Sequence, residues 1–291
     1  MFGKRFFVLA PSYQGATLLA KLINAHPEVT SLGDTYPSNA FDQICGCGER
    51  VSQCRFWQAV RVDTDAQRYA KRTRSMLPTY PSERGGLPGR IAYSDFLCFY
   101  ATPPMLRLRH GAAALATFRE DYEAFAAAVH RDTLRPGHVF VDGVKSISRF
   151  ETLLAAGTGI DGVIHMRRDP VDCVASSIRN TGRGGWVGTG EHALRHRLYH
   201  AHARQAARHA RAAINVSYEA LADDTDAELA RIFRFLGVAE MTVAELHRYF
   251  FGAEWHFMGN ASLVDFDGTI RRSRHTVSPT RRRVIRAIAG A

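Results

Sequence analysis

The chain has 291 residues, of which 46% are hydrophobic and 23% charged. This is ordinary globular composition, with length enough for one large α/β domain, and it excludes a disordered or low-complexity chain. The formal net charge of +10 favours anionic partners, whether nucleic acid, a membrane surface or a phosphorylated small molecule. Five cysteines, an odd number in a long chain, argue against a disulfide framework.

No apolar run is long enough to span a bilayer. Residues 6–10, after Lys4 and Arg5, run into Pro11-Ser12-Tyr13-Gln14-Gly15 and not into a small-residue cleavage site. They read as a buried first strand, and a cytoplasmic location is expected. Continuously apolar runs at 6–10, 139–142, 163–166 and 214–217 alternate with helical patterns, as a parallel sheet with crossover helices requires. Leu115, Phe118, Tyr122, Phe125 and Val129 recur at helical spacing, as do Leu229, Ile232, Phe233 and Leu236 before Gly237. The stretch at about 36–110 is irregular and reads as an insertion that shapes a pocket. Residues 182–190 carry five glycines and read as a mobile loop. No linker divides the chain, so residues 1–291 are expected to form one domain, a central parallel sheet flanked by helices.

The first strand leads into Tyr13-Gln14-Gly15-Ala16-Thr17-Leu18 and a helix from about Leu18. Strand, small-residue turn and helix start together make an anion site. Free amides of the first turn and the helix dipole point at the ligand, Gly15 admits close backbone approach, and Thr17 offers a cap or a hydroxyl. No Gly-Lys-Ser/Thr follows, so the full ATP-binding signature is absent. The turn, with Asn24-Ala25-His26-Pro27-Glu28-Val29, resembles the loop that cradles the 5′-phosphosulfate in sulfotransferases dependent on 3′-phosphoadenosine 5′-phosphosulfate (PAPS). That family usually has Lys or Arg where this chain has Tyr13.

The third strand ends at Arg167-Arg168-Asp169-Pro170, where open α/β sheets bind ligands. The arginine fork matches phosphate, while Asp169 and Pro170 suit a helix start. Arg168 with Ser176 resembles the family's 3′-phosphate site. Val139 to Lys145 resembles its central strand, which implies that Lys145 reaches the sulfuryl group. Ser217-Tyr218-Glu219-Ala220-Leu221 resembles its strand-end turn and puts Tyr218 near the nucleotide. His256-Phe257-Met258-Gly259-Asn260 and Arg271 resemble a C-terminal loop that closes over it. Asp34 falls near the family's catalytic carboxylate and competes with a simple turn aspartate. The resemblance thus implies a bacterial-type sulfotransferase with the P-loop-like fold. It would use PAPS without a metal, yield the product 3′-phosphoadenosine 5′-phosphate (PAP), and act on a small-molecule, lipid or carbohydrate hydroxyl. A small-molecule kinase using Mg-ATP and a non-enzymatic anion- or nucleic-acid-binding protein are the alternatives, though no nucleic-acid module is apparent. The oligomeric state cannot be read.

Two further clusters invite other readings. Cys45, Cys47 and Cys54 lack an evident fourth zinc ligand, which Asp42 or a distant histidine could supply. A stapled loop, a packed loop or part of the acceptor pocket are the alternatives, and no metal is the adopted expectation. Phe56, Trp57, Phe96, Phe99 and Tyr100 suggest an apolar or aromatic acceptor. His192, His196 and His200 share a helical face that reads as solvent-exposed, with Leu194 and Leu198 turned inward.

Overall fold

The computed structural model describes residues 2–33, 44–63, 103–132, 139–249, 256–257, 270, 272 and 277–290. Five strands form one sheet: β1 Lys4–Leu9, β2 Val29–Thr30, β3 Val139–Lys145, β4 Gly162–Arg167 and β5 Ala213–Ser217. Their order is β2-β3-β1-β4-β5, and every pairing is parallel. The expected α/β sheet is therefore present, with four strands where the apolar runs predict them. β2 went unseen because two residues leave no periodicity to read.

Alternation along β1 explains the layers. Phe7 and Leu9 enter one core, with Trp57, Tyr122, Phe125 and Phe150. Phe6 and Val8 enter the other, with Leu19, Ile23, Ile232 and Phe233. The first face is covered by α2 Arg55–Asp63, α3 Pro103–Asp132, α4 Ile147–Ala155 and part of α6 Gly185–Ala207. The second is covered by α1 Ala16–Asn24, α7 Tyr218–Asp223, α8 Thr225–Leu236 and α9 Val243–His247. Burying each large apolar side chain stabilises the fold by about 1.5–3 kcal/mol. α5 Pro170–Thr181, α6 and α10 Pro279–Ala289 share a smaller cluster around Val174, Ala193 and Ile285.

Two readings are corrected. Residues 185–190 belong to helix α6 and not to a loop. A Cβ on Gly188 would lie 2.3 Å from the Arg183 carbonyl oxygen, so close packing accounts for that glycine. Phe56 and Trp57 are core residues, 4% and 0% exposed, so they do not line an open pocket; Phe96, Phe99 and Tyr100 lie outside the described residues. Among the described residues, no helix is long and apolar enough to cross a membrane.

The order of the strands fixes where a site can form. The chain leaves β1 for the β2 edge, returns through β3 beside β1, then crosses to β4 on β1's other side. The crevice outside the carboxyl end of β1 is the switch point at which open α/β sheets take ligands.

Candidate functional site

β1 delivers the chain into a strained turn. Tyr13 has φ 67° and Gly15 has φ 86°, both in the left-handed region that favours glycine. Helix α1 starts at Ala16 with Gly15 as its N-cap, and no side chain caps it. Thr17 is therefore not the cap, and the helix begins two residues earlier than expected, because the glycine turn itself directs the chain into it. The first-turn amides of Ala16, Thr17 and Leu18 face the switch point with the positive end of the helix dipole. Gln14 is fully buried, and its side-chain amide donates to the Cys173 sulfur at 2.9 Å, which ties the turn to α5. Burial pushes the Cys173 thiol up to about 12, so it stays protonated. Leu18 is 8% exposed and packs into the core.

Arg168 is the residue after β4. It is 8% exposed, donates from Nη1 to the Tyr13 carbonyl at 3.0 Å, and lies over the Tyr218 ring with its carbon 4.5 Å from the centroid. Among the described residues, its Nε and Nη2 are buried without a hydrogen-bond partner. Leaving donors of a buried cation unmade costs more than leaving neutral ones, and arginine cannot escape by losing its proton. The Tyr218 ring also presses on the turn, since a Cβ on Gly15 would sit 2.4 Å from Tyr218 Cδ2. Burial raises the Tyr218 phenol, partly opposed by the Arg168 charge. Asp169 caps α5 by accepting from the amides of Val171 and Asp172 at 2.7 and 3.4 Å, with Pro170 next to it as expected. The Asp169 amide donates to Glu219 at 2.8 Å, which fixes the end of β4 against the end of β5. Glu219 was quoted in the sequence motif without a role; only the fold gives it this one. Ser176 lies on α5, 7% exposed.

Lys145 ends β3 at φ 71°, level with Leu9 of β1. The Tyr199 hydroxyl donates to its carbonyl. Upstream, Asp142 and Arg149 form a buried ion pair at 3.1 Å. Gly143 meets the Gly33 carbonyl so closely that a Cβ there would lie 2.6 Å from the oxygen. Asp34, Gly259, Asn260 and Arg271 lie outside the described residues, while Arg272 pairs with Asp223. The structure thus gathers the ends of β1, β3, β4 and β5 on one edge, carrying Tyr13 to Leu18, Lys145, Arg168 and Tyr218.

The α6 histidines reverse the predicted face. His192 and His200 are 8% and 4% exposed, while Leu194 is 41% exposed. The reason is His165 on β4, whose Nε2 lies 2.9 Å from His200 Nδ1. One imidazole can donate to the other, a match that leucine cannot offer. Burial is the main cause that lowers both, His165 to about 4 and His200 to about 2. Elsewhere, Cys45, Cys47, Cys54 and His256 form a group able to hold a metal ion.

Fold and edge together define an open α/β domain with cations and helix-start amides at its switch point. Residues 161–242, less than a third of the chain, match the model of the sulfotransferase family. The matched segment contains Arg168, Ser176 and Tyr218 but neither the β1 turn nor Lys145. Among solved structures, similarity is found to the sulfotransferase domain of the Synechococcus PCC 7002 olefin synthase, at 16% identity, 98% of this chain, 94% of that one and TM-score 0.47. The sulfotransferase domain from the curacin biosynthetic pathway is 13% identical over 99% of this chain and 98% of that one, with TM-score 0.45. Sulfotransferase STF9 from Mycobacterium avium is 14% identical over 86% and 67%, with TM-score 0.45. No curated protein matches the chain.

Proposed function

We propose that this protein transfers a sulfuryl group from PAPS to an acceptor hydroxyl on a small molecule, lipid or carbohydrate. The observation that carries this reading is Arg168, a buried cation with two nitrogens unpartnered among the described residues, beside an uncapped helix start. A 3′-phosphate supplies the charge and oxygens those nitrogens lack, and Ser176 would add a hydroxyl. The amides of residues 14–18 and Thr17 would hold the 5′-phosphosulfate, with Tyr218 against the nucleotide and Gly259, Asn260 and Arg271 closing over it.

In the transfer, the acceptor oxygen attacks sulfur as the bond from sulfur to the bridging phosphate oxygen breaks. The new oxygen–sulfur bond takes the nucleophile's electron pair, and PAP leaves with the pair of the broken bond. The acceptor's proton passes to a carboxylate, the role we give Asp34. Charge grows on the bridging oxygen, so catalysis rests on fixed cations and oriented dipoles. Lys145 would supply the cation absent at Tyr13. No step requires a metal.

Thermal unfolding with PAP, PAPS and Mg-ATP tests the reading. A ligand at 100 times its Kd stabilises the folded state by about 2.7 kcal/mol. PAP should raise the Tm by several degrees, and a larger shift with Mg-ATP would instead establish the kinase reading.

A further inference from the structure

We propose that Cys45, Cys47, Cys54 and His256 form a closed zinc site that joins the Cys45–Cys54 loop to the C-terminal part of the chain. This inference stands on its own residues and does not depend on the donor or acceptor of the transfer reaction.

Four of the six distances between the ligand atoms are those of a tetrahedron. Zinc binds cysteine sulfur at about 2.3 Å and histidine nitrogen at about 2.0–2.1 Å, so tetrahedral geometry sets sulfur pairs about 3.8 Å apart and sulfur–nitrogen pairs about 3.5 Å apart. Cys47 and Cys54 sulfurs are 3.7 Å apart, and Cys54 and Cys45 sulfurs 3.9 Å. His256 Nδ1 lies 3.7 Å from the Cys45 sulfur and 3.4 Å from that of Cys54. All four ligand atoms fall within 4.8 Å of one another, so one centre serves them all. The thiols are free, not disulfide-bonded.

The surroundings hold these atoms in place. The backbone amides of Cys47, Glu49 and Trp57 hydrogen-bond the sulfurs of Cys45, Cys47 and Cys54 respectively, which orients all three sulfurs. The loop is a tight one: Cys45 donates its amide to the Glu49 carbonyl at 2.7 Å, and Gly48 donates to the Cys45 carbonyl at 2.9 Å. Gly48 sits at φ 90°, where a side chain would be strained. The His256 ring is stacked on Phe56, with centroids 4.3 Å apart and planes 3° apart. The Gly46 amide donates to the Phe257 carbonyl at 2.9 Å, a backbone bond that holds the histidine segment to the cysteine loop. Orientation of ligands by such neighbours is what metal sites show.

Simple packing does not account for the set. Three cysteines could fill a core as small apolar groups, but a core has no reason to bring an imidazole nitrogen to their shared centre. The soft S₃N set and tetrahedral shape select zinc among common divalent ions. Four protein ligands leave no open position, so the site is structural and not catalytic. Binding converts three thiols and a neutral imidazole into three thiolates around Zn²⁺ with release of three protons. The site then anchors the chain at His256 to the Cys45–Cys54 loop.

The full-length protein, purified without chelator, should carry about one zinc per chain by plasma mass spectrometry. The apo protein, reduced and loaded with cobalt, should show the visible bands of tetrahedral cobalt and a thiolate charge-transfer band. Cys47→Ser and His256→Ala should lose zinc and lower the Tm, whereas His256→Cys should keep zinc and strengthen the charge-transfer band. Zinc-free protein that after reduction takes up neither zinc nor cobalt overturns the proposal. So does full zinc retention by both Cys47→Ser and His256→Ala. Should the variants not fold, the wild-type cobalt spectrum decides alone: tetrahedral bands support the site, and the octahedral spectrum of free cobalt removes it.

Discussion

Two polar clusters flank the end of β4, and they meet burial in opposite ways. His165 and His200 are buried between β4 and α6, hydrogen-bond each other, and give up their protons, so neither carries charge near neutral pH. Arg168, three residues beyond His165, is buried as well, yet two of its nitrogens have no hydrogen-bond partner among the described residues. A guanidinium keeps its charge in any environment, so it calls for an anion that the described residues do not supply. The contrast teaches how to tell a structural polar cluster from a receptive one. The first meets burial by giving up its charge, and the second keeps its charge and is left open to an anion.

The largest expected effect tests the cationic edge at its other side. Lys145→Ala should lower kcat by about 10²- to 10³-fold, the usual cost of removing one transition-state donor, with little change in the Kd for PAP. Single-turnover kinetics with a hydroxyl acceptor checks this. Turnover that survives Lys145→Ala but fails in Tyr13→Phe would move the charge to the β1 turn.

Next in size, Arg168→Ala should weaken PAP by about 1.5–3 kcal/mol, the range for hydrogen bonds to a charged group. Adenosine 5′-phosphosulfate, which lacks the 3′-phosphate, should be little affected. Equal weakening of both nucleotides by calorimetry would make Arg168 structural, and the contrast with the histidines would collapse.

The histidine pair gives the third test. Unfolded histidine takes up a proton as pH falls through about 6.5, whereas folded His165 waits until about 4 and folded His200 until about 2. The unfolded chain therefore binds more protons between those values, and stability falls as pH drops from about 6.5 toward 4. Each histidine should contribute a slope of about 1.4 kcal/mol per pH unit. Urea unfolding at several pH values reads it. Stability that stays flat to pH 4 in wild type, or a slope unchanged in His165→Asn, would show that the pair is not buried neutral.

The smallest effect is a control on the same helix. Leu194→Gln should alter stability by no more than about 0.5 kcal/mol, as for other exposed sites. A cost of 2 kcal/mol or more would restore the leucine face as the packed one.

The sequence revealed those parts whose signal is local. Continuous apolar runs marked four strands, and Asp169-Pro170 marked the start of α5 beside Arg168. Non-local features stayed hidden. Nothing near Cys45 announces His256, because the two are 211 positions apart and only the fold brings them together. The α6 face was misread because helical periodicity shows which residues share a side, not which side is buried. That depended on His165, a strand residue outside the pattern. The location of Tyr13 to Leu18, Lys145, Arg168 and Tyr218 at strand ends was readable because strand ends and glycine turns are local signals, while their roles, like that of Asp34, rest on the proposed function.

The contact between Gly143 and Gly33 bears on how the chain beyond residue 33 could be exchanged. The two backbones touch with no room for a methyl group, so the end of β3 and the exit from β2 behave as one rigid joint. Residue 34 follows directly on that seam. Swapping in a foreign segment of different length should therefore leave the nucleotide edge undisturbed, provided both glycines are retained. A graft that replaces either of them would pry the joint open and shift Lys145, only two residues further along the strand.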